Sequence, residues 1–107
     1  MNARAILTDG GNEVLFSAAN IWEIAIKQQL DRIELSTGAY QIAEAAIETG
    51  FVELPITSAA AAAVANLPLH HKDPFDRLLI AQATLEPARL LTVDPKLPAY
   101  GEFVTLF

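Results

Sequence analysis

Apolar and polar positions along the chain alternate between helical and strand-like spacing. A helix is predicted over Asn2–Asp9, closed by the Gly10-Gly11 pair. Glu13–Ser17 is predicted as a short strand because β-favouring residues run together there. Ser17 is expected to cap the following helix, which keeps apolar residues at helical spacing to about Leu30.

The rest of the chain continues this alternation of helices and strands. Further helices are predicted to begin at Ser36, Thr57 and Asp73, and to end at Gly50, near Leu67-Pro68 and before Pro87. Further strands are predicted at Phe51–Leu54, Arg89–Val93 and Phe103–Phe107. Strands separated by helices indicate an α/β fold with a mainly parallel sheet and helices on its faces.

Composition narrows the class of protein. The 107 residues suit a single domain, and 52% of them are apolar, which is enough for a folded core. Cysteine is absent, which excludes disulfides, thiolate metal sites and a cysteine nucleophile. We find no secretory signal and no apolar run long enough to span a bilayer, so a cytoplasmic protein is expected.

The net charge of −6 at pH 7 has two interpretations. The seven basic residues are scattered, without the basic stripe typical of proteins that rely on phosphate contacts. The chain is then either an ordinary acidic protein or one whose acids cluster around a divalent cation or a basic partner. Composition does not separate the two.

Four acidic residues lie at predicted strand ends and helix starts, where α/β folds commonly have their functional sites. Glu23 lies in the first turns after a predicted strand, Asp94 directly follows another, and Asp73 and Asp76 open a predicted helix. The functional crevice of an open α/β sheet lies at the carboxyl ends of its strands. Carboxylates gathered there suit Mg²⁺ or Mn²⁺, and two such ions support in-line attack on a phosphodiester.

Each of these acids also has a purely structural interpretation. Asp73 is favoured as a helix cap over a ligand, and Asp76 is placed well for the helix dipole. Asp94 precedes a proline and suits a turn, while Glu23 is spaced to pair with Lys27 on one helix face.

Other residues that could carry chemistry are predicted to be structural. His70-His71 is interpreted as an exposed loop pair, because adjacent residues seldom face one site. Trp22 and Phe75 are expected to anchor the core, and Arg77 is either a surface charge or a phosphate contact. The chain has no glycine-rich phosphate loop and no nucleophile elbow.

Four segments together resemble the VapC-like toxins of the PIN-domain ribonuclease family: NEVLFSAANIWEIAIK, ELPIT, LPLHHKDPFDRLLIAQA and LLTVDPKLPAYG. The resemblance implies one PIN-like domain over residues 1–107, a three-layer α/β/α fold. It implies that Glu23, Asp76 and Asp94 bind Mg²⁺ or Mn²⁺ and cleave RNA, with Asp73 as a helix cap or a supporting group behind the ligands. A cognate antitoxin and a homodimer are the partners it implies.

The chain departs from the family at its beginning. The family normally opens with an apolar strand that ends in an aspartate and is followed by a helix, and this sequence begins after those elements. Asp9 precedes Gly10-Gly11 and is no substitute. The expectation is therefore an N-terminally incomplete PIN domain. Its function is either RNA cleavage or, as the alternative, antitoxin binding without cleavage.

Overall fold

The computed structural model describes residues 7–30, 37–92 and 94–106. These residues form two compact units, one within residues 10–55 and the other comprising residues 7–9 and those from 56 onwards. Leu7 and Thr8 are helical, while the rest of the predicted Asn2–Asp9 helix lies mostly outside the described residues. The predicted cap Ser36 also lies outside them.

The first unit pairs two strands in parallel. Its elements are strand β1 (Leu15–Ser17), helix α1 (Ala18–Gln29), helix α2 (Ala39–Thr49) and strand β2 (Val52–Leu54). Leu15 lies opposite Val52 in the register. Helix α1 contacts β1, helix α2 contacts β2, and the two helices contact each other.

Helix boundaries in this unit follow local side-chain chemistry. The Ser17 hydroxyl accepts from Ala19 N–H at 3.0 Å, and the Asn20 side chain accepts from Ser17 N–H at 2.8 Å, which confirms the predicted cap. Helix α2 begins at Ala39, with Gly38 as its N-cap. Its predicted end is confirmed at Gly50, whose φ of 105° is left-handed and favours glycine.

From residue 56 onwards, the described part of the second unit contains two short strands, two α-helices and two 3₁₀ turns around one small core. Its elements are helix α3 (Ser58–Ala63), a 3₁₀ turn (Val64–Asn66), helix α4 (Pro74–Leu85), strand β3 (Leu90–Thr92), a second 3₁₀ turn (Leu97–Tyr100) and strand β4 (Val104–Leu106). The β3 and β4 strands pair in parallel, with Leu90 opposite Val104. The Thr57 hydroxyl accepts from Ala60 N–H, which confirms the cap of α3.

The core of this second unit lies where α4 meets the strand pair. Ile80, Leu97 and Val104 are buried, and Leu90 and Phe103 pack against them. Alanines let α3 and α4 approach closely because they need little space, and Ala60 and Ala81 are almost fully buried. This packing fixes the start of α4 relative to the segment that follows β3.

The α/β class with parallel strand pairing is confirmed, whereas one core assignment is wrong. Trp22 was expected to anchor the core, but it is 55% exposed on α1. Phe75 is half-buried. Among the described helices, none combines the length and apolarity that crossing a membrane requires.

Candidate metal centre

Asp73 and Pro74 determine where α4 begins. The Asp73 carboxylate accepts from Phe75 N–H at 2.8 Å and more weakly from Asp76 N–H at 3.4 Å, so the predicted cap is confirmed. Proline occupies the first turn, where its missing N–H costs no helical hydrogen bond. This start places Asp76 in the first turn, where the helix dipole favours a negative charge.

Asp94 is held by a tight turn after β3. Its N–H donates to the Thr92 hydroxyl at 3.0 Å, and its Oδ1 accepts from Lys96 N–H at 2.9 Å. One carboxylate oxygen is therefore used locally, as expected of a turn-forming aspartate. The other oxygen, Oδ2, is directed to His71.

Asp76 and Asp94 come together at the imidazole of His71. The Nε2 atom lies 2.9 Å from Asp94 Oδ2 and 3.1 Å from Asp76 Oδ2. One potential ligand atom from each of the three residues lies within 4.8 Å of the other two. Each of these side chains keeps limited solvent exposure, between 16% and 30%. The geometry thus joins two of the predicted ligands and adds a third residue.

The hydrogen-bond partners of His71 define its tautomer. Its Nδ1 accepts from Lys72 N–H at 2.9 Å and from Asp73 N–H at 3.3 Å, so this nitrogen carries a lone pair. A neutral imidazole then has its proton on Nε2. The Nε2–H group donates to Asp94 Oδ2 at 2.9 Å, and Asp76 Oδ2 lies 3.1 Å from the same nitrogen.

The backbone beside this imidazole is held by Tyr100 and Arg77. His71 N–H donates to the Tyr100 hydroxyl at 3.0 Å, and Arg77 donates to the same hydroxyl at 3.2 Å. Arg77 also donates to the carbonyls of Val64 and Pro68, at 3.0 Å each. The guanidinium therefore holds the loop before α4, and neither of its two predicted roles, free surface charge or phosphate contact, describes these bonds.

Hydrogen bonding keeps Asp94 ionised. The pKa of Asp94 is lowered, chiefly by the hydrogen bond from Lys96 N–H; desolvation opposes this effect, and the His71 imidazole lowers the pKa further. A carboxylate in this form offers the oxygen ligands that hard cations prefer.

Glu23 belongs to the other unit. Its carboxylate lies 3.7 Å from Lys27 Nζ, one helical turn away on α1, which confirms the predicted ion pair. Its role as a cation ligand stays a prediction.

The prediction that treated the two histidines alike was wrong for His71. His70 is exposed, and its ring contacts Tyr100 edge-on with centroids 4.9 Å apart. His71 faces the carboxylates with its Nε2, while the N–H groups of Lys72 and Asp73 donate to its Nδ1. No local sequence signal separates His71 from His70, because the His71 backbone is held by Tyr100, 29 residues later.

The donor set suits a hard divalent cation. Asp76 and Asp94 each place one carboxylate oxygen within about 3 Å of His71 Nε2, so two oxygens of like charge lie close to the same N–H group. Mg²⁺ and Mn²⁺ prefer such oxygen ligands and complete their coordination with water. The residues present therefore fit a cation of this kind.

Comparison with known proteins gives one match. The family model of the PIN domain matches residues 1–102, nearly the whole chain. Neither a curated protein nor a solved structure matches the chain significantly.

Proposed function

The chain belongs to the PIN domain family, and we propose that it is a divalent-metal-dependent endoribonuclease of the VapC-like toxin type. Membership of the family implies nuclease activity in general. The RNA substrate, the cation and the toxin role are the proposal. The observation that carries it is the convergence of Asp76 and Asp94 Oδ2 on a single point.

Asp76 and Asp94 are the residues that would hold Mg²⁺ or Mn²⁺. When bound, such a cation stabilises the negative charge that develops on a phosphodiester under attack by water. Glu23 is proposed as a further ligand on the resemblance alone. Asp73 would position Asp76 indirectly, because its carboxylate accepts from two backbone N–H groups and fixes the start of α4.

The proposal includes two protein partners. A cognate antitoxin would cover the carboxylates with a basic segment, and the net charge of −6 supports such a partner. A second copy of the chain would complete a homodimer, for which exposed aromatic side chains such as Trp22 and Tyr40 offer apolar contact area.

Cleavage of a mixed RNA substrate by the purified chain tests the proposal. We expect cutting in Mn²⁺ that stops when EDTA is added, and that falls by at least about 100-fold in Asp76→Asn or Asp94→Asn, since even supporting groups around a metal are worth 10- to 100-fold. Glu86→Gln, at the far end of α4, is the matched control and should cut at the wild-type rate.

Two results would count against the proposal. Cutting that persists in EDTA, or that survives both aspartate substitutions, would mean that these carboxylates hold no catalytic cation. A folded chain that captures its antitoxin but cuts no RNA in Mn²⁺ would instead be a binding module without nuclease activity.

A further inference from the structure

We propose that His71 competes with the cation for its ligands: its Nε2–H group donates to Asp94 Oδ2 and lies 3.1 Å from Asp76 Oδ2, and a cation binds only after the imidazole has moved away. This inference rests on the proposed cation site. It assigns His71 to regulation of that site, and it excludes His71 from the set of ligands.

The competition follows from the shared oxygens. Nε2 lies 2.9 Å from Asp94 Oδ2 and 3.1 Å from Asp76 Oδ2. Mg²⁺ binds carboxylate oxygens at about 2.0–2.1 Å and demands near-octahedral geometry. A cation that close to both oxygens would meet the Nε2 proton, and two positive groups repel one another at such a separation.

Direct ligation by Nε2 is the rival role, and the hydrogen bonds of the ring disfavour it. A neutral imidazole that ligates through Nε2 must carry its proton on Nδ1. That proton would face Lys72 N–H and Asp73 N–H, which now donate to Nδ1. If His71 ligated the cation without moving, the Nδ1 proton and the N–H groups of Lys72 and Asp73 would be three donors that face one another with no acceptor.

Release of the imidazole avoids this conflict. The N–H group of Lys72 lies at an exposed position, where water can replace the Nδ1 acceptor. The backbone of His71 stays bound to the Tyr100 hydroxyl, so only the side chain has to move.

The same contact has a second effect in the cation-free protein. Asp76 and Asp94 carry like charges close together, and the Nε2–H dipole between them reduces their repulsion. Truncating His71 removes a competitor and leaves the carboxylates repelling one another. Both effects increase the affinity for a cation.

Binding of Mn²⁺, measured from the electron paramagnetic resonance signal of the free ion, tests this inference without recourse to cleavage. We expect His71→Ala to bind Mn²⁺ about 2- to 10-fold more tightly than wild type, the equivalent of one net hydrogen bond. His71→Gln, which restores a side-chain N–H donor, should return toward the wild-type affinity. His70→Ala, at the exposed neighbour, should match wild type.

The possible outcomes distinguish a failure of the role of His71 from a failure of the proposed cation site. Unchanged or weaker Mn²⁺ binding by His71→Ala, together with weaker binding by Asp76→Asn, would overturn the role of His71 and leave the cation site standing. Unchanged binding by Asp76→Asn would overturn both.

Nuclear magnetic resonance of the wild-type imidazole keeps the test decisive if His71→Ala does not fold. Long-range ¹H–¹⁵N spectra should show the proton on Nε2 both before and after Mg²⁺ is added, with the Nε2 shift moving as its carboxylate bonds break. A proton that transfers to Nδ1 on Mg²⁺ addition would identify His71 as a ligand and overturn the inference.

Discussion

At the scale of single residues, the two carboxylate oxygens of Asp94 make different contacts. Oδ1 accepts from Lys96 N–H and fixes the turn after β3, while Oδ2 contacts His71. The predicted turn-forming role of Asp94 is thus confirmed, while its role as a cation ligand stays a prediction. The two interpretations were never exclusive, because a carboxylate has two oxygens with separate lone pairs.

Asp94 should make stability depend on pH in acid. Its pKa is lowered in the folded chain, so the unfolded chain binds the proton more tightly. The resulting stabilisation is complete above the ordinary aspartate pKa of about 3.9 and is lost as pH falls through the lower, folded value. Urea unfolding between about pH 5 and 2.5 should therefore show a shallower loss of stability in Asp94→Asn than in wild type. Parallel curves for the two proteins would contradict this assignment.

The local sequence could predict that Asp76 and Asp94 lie close together, but not that His71 joins them. Carboxylates at a helix start and after a strand are placed by secondary structure, which can be predicted from the local sequence. The orientation of His71 depends on Tyr100, which lies 29 residues later and whose hydroxyl accepts from the His71 N–H. A contact at that separation leaves no periodic signal in the chain.

At the scale of elements, the start of α4 decides where the site forms. Asp73 caps the helix, Pro74 follows it, and Asp76 reaches the carboxylate cluster from the first turn. Asp73 is either only a helix cap or also a group that supports metal binding. The two roles can be distinguished with substitutions that remove its charge but keep its hydrogen bonding.

Asp73→Asn should behave like wild type in both unfolding and cleavage, because asparagine caps helices about as well as aspartate. Asp73→Ala should lower the free energy of unfolding by about 1 kcal/mol, the usual value of a lost cap. Urea unfolding and RNA cleavage are measured on all three proteins. A 10- to 100-fold loss of cleavage in a normally stable Asp73→Asn would instead assign the charge of Asp73 to support of the metal.

Element boundaries were predictable where a side chain determines them. Ser17, Thr57 and Asp73 each cap the predicted helix, because a side-chain oxygen meets an early N–H group. The start of α2 was less predictable, since its N-cap is Gly38, which has no side chain to cap the helix. Each described strand begins one or two residues later than predicted.

At the scale of the whole molecule, exposure rather than burial is the feature that the sequence misjudged. Trp22 was expected to anchor the core, but it is 55% exposed. An apolar residue at helical spacing predicts a buried face, but it does not say whether the covering surface belongs to the same chain. The parallel pairing and the α/β class depend on element order alone and were predicted correctly.

The proposed homodimer should be measurable directly. Sedimentation equilibrium of the purified chain at micromolar concentration should give about twice the 11.5 kDa mass of one copy. Tyr40→Ser, at an exposed apolar position, should lower that mass if its face is part of the contact, whereas Glu48→Gln on the same helix should not. A mass of one copy at all concentrations would exclude the homodimer.

The Tyr100 hydroxyl accepts from both His71 and Arg77, and this has a consequence for conformational entropy. Holding one residue of a loop in a single backbone conformation costs about 1–2 kcal/mol of entropy. Because Tyr100 and Arg77 order the segment before α4 as the chain folds, that loss belongs to folding. A ligand that arrives later has only the imidazole side chain to rearrange, so its affinity is not reduced by the ordering of a loop.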